Sequence, residues 1–260
     1  MRIASVGHAF FAAAMIMLGI LGLLKGDFAV MWQPVPDAMP LRPALIYLCA
    51  LLAIATGIGL LFRRTAAIAA RVLLAYLLLW LLLLRVPTML MSRTVDSWWA
   101  AAKIAAMAAA AWVLYVWFAN DADRRRFGFA ASANGLYLAR LLYALAMIAF
   151  GIAHFVYPEP TAGLVPKWLP WHLFWAYFFG WTFVAAGVAM IIGVFARLAA
   201  ALSALEIGMF TFIVWVPIAA AGGASAFQWD ETVISIALTA AAWVVAESYR
   251  GKPWLAVNQR

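Results

Sequence analysis

The sequence predicts an all-α fold: a polytopic integral membrane protein whose eight transmembrane helices form two parallel-repeat four-helix bundles. Three observations carry that prediction. Of 260 residues, 68% are hydrophobic and 11% charged, against roughly 45–50% and 25% in soluble domains. The apolar residues collect in eight long runs, each close to the ~20 residues a helix needs to cross about 30 Å of hydrocarbon. The chain also matches itself at a fixed offset of 130 residues.

The runs fall at about 4–24, 44–62, 66–90, 98–119, 136–157, 172–192, 197–220 and 231–249. They are unbroken, whereas barrel strands would alternate apolar and polar residues in segments of about ten. Met1-Arg2 and the run after it resemble a signal peptide, but no small-residue cleavage site precedes Leu24, so this is read as a retained first span. The basic residues Arg2, Arg63-Arg64, Arg124-Arg125-Arg126, Arg197, Arg250, Lys252 and Arg260 all fall on the side holding both termini. The positive-inside bias then places both termini in the cytoplasm, and in a bacterium the protein lies in the inner membrane. The net charge of +8 serves orientation and anionic headgroups. Its clusters lack interleaved aromatics, which excludes a nucleic-acid partner and leaves the lipid bilayer as the first one.

The expected organisation is a first four-helix repeat over 1–119, a basic cytoplasmic linker over 120–134, a second repeat over 135–250 and a tail over 251–260. At the offset of 130, Met17 falls on Met147, Val35-Pro36 on Val165-Pro166, Gly57 on Gly187, Val86-Pro87 on Val216-Pro217 and Trp99 on Trp229. The expectation is that this offset holds without a gap. An even number of spans per unit gives two units running in the same direction. The charges differ between them: His154 falls on Leu24 and Glu206 on Tyr76, while Arg71, Arg85 and Lys103 fall on uncharged residues.

The densest chemistry lies in 151–177, where a span ends in prolines, tryptophans and titratable groups. Here Gly-x-x-His-Phe-x-x-Pro-Glu (151–159), Val-Pro-x-Trp-Leu-Pro (165–170) and Phe-Trp-x-Tyr (174–177), with the later Val216-Pro217 and Trp229, resemble the DoxX-like membrane proteins. These are small four-helix proteins related to the membrane subunit of thiosulfate:quinone oxidoreductase. The resemblance covers Leu136 to about Glu247. It implies association with membrane redox chemistry, a quinone as cofactor, and other membrane or periplasmic redox subunits as partners; whether the chain forms an oligomer is left open. Trp215 stands where such relatives carry a histidine.

Glu206, His154 and Glu159 are the candidate catalytic residues. Glu206 lies near mid-span, where an ionised carboxylate costs at least about 2.5 kcal/mol unless paired, protonated or wetted. It is read either as a proton-handling group or as the partner of Arg71 or Lys103. Arg71, Arg85 and Lys103 are the structural charges, and the last two also read as side chains that snorkel to the headgroups. Trp168, Trp175, Tyr177 and Trp215 are candidates for lining a flat ligand pocket, alongside the deeper Trp80 and Trp181, while most of the 14 tryptophans, Trp32 among them, read as an interfacial belt. Neither metal nor haem is expected. His154 and Glu159 would need a third ligand from His172 or Asp230, and His8 lies at the opposite end of its span from His154 and His172. Cys49, the single cysteine, reads as a small buried hydrophobe. Function is therefore expected to be that of a quinone-linked or accessory subunit, with a transporter and a non-catalytic scaffold as the alternatives.

Overall fold

In the computed structural model, which describes residues 4–28 and 33–257, the chain is helical throughout. Arg2, Trp32 and Arg260, used above for orientation and the aromatic belt, lie outside the described residues. Among the described residues eight helices are long and apolar enough to cross a membrane. They are α1 (Val6–Lys25), α2 (Arg42–Leu60), α3 (Ala66–Ser92), α4 (Val95–Phe118), α6 (Ala133–Val156), α8 (His172–Ile192), α9 (Ala196–Ala220) and α10 (Ala226–Glu247). Two short helices, α5 (Asp121–Arg126) and α7 (Pro158–Leu164), lie at opposite ends of the bundle. The linker expected over 120–134 is thus partly helical, because Asn120 and Asp123 form a reciprocal capping box ahead of three arginines.

The helix starts follow from local chemistry. Ser5, Thr94, Ser132 and Ser225 each offer a side-chain oxygen to a backbone N–H in the first turn. Leu41 and Trp171, 130 residues apart, both enter their helices in the left-handed conformation, with φ of 59° and 58°. The third long helix of each half carries one widened turn, Leu81–Arg85 and Phe210–Trp215. Val86 and Val216 there donate five residues back, to Leu81 and Thr211. Pro87 and Pro217 follow directly; a proline lacks the N–H and crowds the carbonyl four residues back, and one π turn relieves both conflicts.

The helices pack as one body rather than as two bundles with separate interiors. The first helix of each half lies against its own second helix and against the last helix of the other half: α1 on α2 and α10, α6 on α8 and α4. The last helices α4 and α10 meet each other on the central axis. In their apolar windows 78% of residues are buried, against 33–44% in the other six, so these two are shielded from lipid while the rest form the rim. They can occupy the axis because alanine lines it, with Ala105, Ala106 and Ala108–Ala111 buried on α4 and Ala237 and Ala240–Ala242 on α10. Small side chains permit the close approach from which membrane helices gain dispersion energy.

Close contacts also correct the register of the internal match. A Cβ on Gly19 would lie 2.5 Å from the Ala50 carbonyl oxygen, and one on Gly151 2.5 Å from that of Gly180. In return, Gly57 meets Ala12 at 2.7 Å and Gly187 meets Ala144 at 2.6 Å. The α8 residues are 130 positions beyond their α2 counterparts, but the α6 residues are 132 beyond theirs in α1, and the caps Thr94 and Ser225 stand 131 apart. The offset is therefore not gapless. His154 corresponds to Gly22 rather than Leu24, and Met147 to Met15 rather than Met17. A fixed-offset comparison cannot see length differences absorbed in connections between helices.

At the α5 end the helices are tied by polar contacts. Arg71 pairs with buried Asp123 at 2.7 Å, and the His8 ring hydrogen-bonds the Leu60 carbonyl at 3.0 Å. Arg140 reaches the Ser248 hydroxyl and carbonyl with its guanidinium 4.0 Å from the Tyr249 ring centre. Burial pushes the Tyr249 phenol up to about 12, with Arg140 opposing. The tail after Glu247 is fastened too: Arg197 donates to the Lys252 carbonyl at 2.5 Å and covers the Trp254 ring.

Replacing Gly187 with alanine should lower stability by about 1–3 kcal/mol, since backbone faces the new methyl and neither helix can yield alone. Gly163→Ala, whose Cβ would meet nothing within 4 Å, should leave it unchanged. Thermal unfolding in detergent, followed by loss of the monodisperse chromatographic peak, checks both.

Candidate functional site

Two features are built where the rim helices meet the axis at the α7 end: a buried ion-pair cluster and a pair of lipid-facing clefts. The cluster centres on Lys103, whose ammonium donates to both carboxylate oxygens of Glu231 at 2.7 and 2.9 Å. Their side chains are 3% and 5% exposed. Lys103 lies eight residues into α4, roughly 12 Å along the helix, with its ammonium 4.6 Å from the Trp99 ring centre. Arg85, also buried, is within electrostatic range. One residue before Glu231, Asp230 accepts from Lys25 at 2.6 Å, and Lys25 also donates to the Ala226 carbonyl at 2.8 Å. The last helix of the second half thus carries two adjacent acids, each claimed by a lysine from the first half.

This placement corrects several expectations. Lys103 does not snorkel, because its helix is on the axis and its partner is opposite. Glu206 pairs with neither Arg71 nor Lys103; its carboxylate accepts from the Thr182 hydroxyl at 2.8 Å, while Arg71 is turned toward the α5 end and Asp123. Asp230, considered as a third metal ligand, is engaged by Lys25. Glu231 was missed by sequence reasoning, although an acid inside the eighth apolar run was a visible signal.

His154 is half-buried near the end of α6. Its Nδ1 hydrogen-bonds the Phe150 carbonyl at 2.8 Å, and its ring lies 5.5 Å from that of Phe183 and 6.0 Å from that of Phe210. Glu159 is exposed on α7. The turn at Pro158 separates the two, so His154 faces aromatic side chains while Glu159 faces outward.

The clefts lie between the second and third long helices of each half, roofed by the Val-Pro loop. Val35-Pro36, Cys49, Trp80, Leu83 and Leu84 line the first, which encloses about 380 Å³. Val165-Pro166, Phe179, Phe210, Ile213 and Val214, each 130 residues further on, line the second at about 280 Å³. The widened π turns stand in both walls, so the proline that displaces the α3 and α9 backbone also shapes the clefts. Of the tryptophan and tyrosine candidates, Trp168 and Trp175 line the second cleft. Tyr177 lies outside it, stacked on Phe155 at 6.3 Å, and the Trp215 carbonyl accepts from Thr232. Trp80 lines the first cleft, whereas Trp181 is 65% exposed on the lipid side.

The second cleft is aromatic on several sides. Trp175, Phe178 and Phe179 pack edge to face or tilted at 5.4–5.9 Å, and Phe179 meets Phe210 at 5.0 Å. Such an enclosure favours flat or chain-like apolar molecules entering from the bilayer. Comparison with protein-family models, with curated proteins and with solved structures finds no match for this chain.

Removing one partner of the axial ion pair leaves a buried charge. Lys103→Ala or Glu231→Ala should therefore cost about 3–5 kcal/mol, whereas the double change Lys103→Met with Glu231→Leu, which removes both charges and keeps apolar volume, should recover most of it. A double-mutant cycle on detergent thermal stability reads the coupling.

Proposed function

We propose that the chain is a membrane-embedded accessory subunit that binds a prenyl-tailed quinone in its second cleft and serves a redox complex of the bacterial inner membrane. The single observation that carries this reading is the aromatic cleft of about 280 Å³, open to lipid, with His154 against its Phe210 wall. The resemblance of residues 136–247 to DoxX-like proteins supports it. So do the arginines gathered at the α5 end, which favour a cytoplasmic location for the termini. The matched caps, π turns and clefts support a duplicated ancestry in which the halves have diverged.

Glu206 would act from behind the cleft wall as the proton-handling carboxyl, with Thr182 orienting it. Transport finds less support. The axis is filled with alanine, and buried Lys103 and half-buried Lys25 near it are held by ion pairs between the halves, which resists the relative movement that alternating access requires.

Protein purified gently from native membrane should carry a prenylquinone, identified by solvent extraction and mass spectrometry, at about one molecule per chain. Ile213→Trp, which fills the second cleft, should remove it. Glu206→Gln should keep the quinone and lower quinone-dependent turnover of the assembled complex by roughly a hundredfold, the usual weight of a general acid or base. Extracts without quinone, or full turnover in Glu206→Gln, would refute the respective parts of this reading.

A further inference from the structure

Positive charge at the α5 end is gathered on the first half. Arg63 and Arg64 in the α2–α3 connection, Arg71 on α3, and Arg124, Arg125 and Arg126 on α5 all lie there. The second half has Gly193, Val194 and Ala201 at the positions matching Arg63, Arg64 and Arg71. A bias that only sets orientation counts charge on one side of the membrane and is indifferent to where in the plane it sits. Its concentration on one half has a separate cause.

Arginines of the second half are engaged by their own chain at this end: Arg140 by Ser248, Arg197 by the Lys252 carbonyl and Arg250 by Glu247 at 3.1 Å. Of the six arginines in the first group, Arg71 alone pairs with an acid among the described residues, Asp123. Arg63, Arg64, Arg125 and Arg126 are exposed. Phe127 and Phe129 follow the three arginines of α5 and are 41% and 61% exposed. The Arg71 and Arg126 guanidiniums lie 6.0 and 5.7 Å from the Phe127 ring centre, so two cations stand around one exposed ring.

This face is held at the level of the helix ends. Trp112, six residues before the end of α4, donates to the Ala130 carbonyl at 2.9 Å, and Ala131 is fully buried. Arg71 is five residues into α3, roughly 8 Å below its start. Within electrostatic range of Arg71 and Asp123, the Tyr115 hydroxyl, on a side chain 2% exposed, has no hydrogen-bond partner among the described residues.

We infer that this face binds an anionic phospholipid, with its phosphate at Arg71 and Arg126, its chains against Phe127 and Phe129, and Arg63 and Arg64 adding to the field. A guanidinium carries five donors in a fork that suits phosphate, so Arg71 can hold Asp123 and a phosphate oxygen together. Arginines beside a membrane-spanning helix attract anionic headgroups, and aromatic rings favour the same interfacial depth. A free phosphate would meet the arginines and leave the rings in water. A zwitterionic lipid would cover the rings and leave the arginines without a counter-charge. The site is independent of what the two clefts hold.

Full-length protein in dodecylmaltoside micelles with equal amounts of phosphatidylglycerol and phosphatidylcholine, followed by native mass spectrometry, tests this. Phosphatidylglycerol should be retained about 30-fold over phosphatidylcholine. Arg64→Gln with Arg126→Gln should bring that ratio close to one, at about fivefold for each arginine near a membrane surface. Arg250→Gln with Lys252→Gln, which removes equal charge at the same end but from the second half, should leave the ratio intact. Both pairs alter exposed side chains and should keep the monodisperse chromatographic peak. Phe129→Ser should lower phosphatidylglycerol retention, and glycerol phosphate, a head without chains, should not displace the lipid. Equal retention of the two lipids, equal losses in the two charge variants, full retention in Phe129→Ser, or displacement by stoichiometric glycerol phosphate would overturn the inference.

Discussion

The Lys103–Glu231 pair is the interaction on which the rest of the arrangement depends. It joins the two helices on the axis, one from each half, at a depth where neither charge has water. An isolated ion in hydrocarbon is strongly unfavourable, so α4 and α10 can be inserted side by side only in the register that brings these groups together. Lys25 and Asp230 repeat the logic one residue earlier, nearer the headgroups, and tie α1 to the same helix. The pairs specify which helices are neighbours more than they stabilise. The energy of association comes from the alanine seam along the axis and from the Gly19, Gly57, Gly151 and Gly187 contacts, where backbones approach without side chains between them.

With the axis closed, space for ligands is confined to the rim. Two such spaces lie at matched positions, because each third long helix carries a Val-Pro step whose missing N–H is absorbed by a π turn. The turn thrusts residues such as Leu83 and Ile213 outward along a cleft wall. What fills each cleft then depends on side chains one helix away: leucines and a cysteine in the first half, tryptophan and phenylalanines in the second. The halves thus share a scaffold and differ in the molecules they can admit. The residues at the matched positions 76 and 206 differ in the same way, a tyrosine held by Gln33 in one half and a glutamate held by Thr182 in the other.

The stretch 151–177 stands out in the sequence for its histidine, glutamate, prolines and tryptophans, and only part of it comes together in space. Trp168 and Trp175 do line a cleft, and His154 does sit against an aromatic wall. Glu159 and Tyr177 do not join them, because Pro158 starts a new short helix and Tyr177 falls on the lipid side of α8. In the other half, Tyr76 and Cys49 read as featureless members of apolar runs, since neither is charged and neither belongs to a motif. What sets them apart is the company of Phe28, Gln33 and Lys25, which other segments of the chain bring around them.

By itself the sequence determined that this is a membrane protein with eight apolar helical spans and that related features recur about 130 residues apart. Those properties are local or additive: hydropathy over a span, an N-cap oxygen, a proline without its N–H. The tertiary structure alone decided that each half is closed by a helix of the other, that Lys103 meets Glu231 rather than Glu206, and that the larger of the two matched clefts lies in the first half. Such matters depend on which faces of different helices meet. Hydropathy is blind to direction around a helix axis, so a chain apolar on nearly every face leaves the choice of neighbours to packing and to the few charges that must find one another.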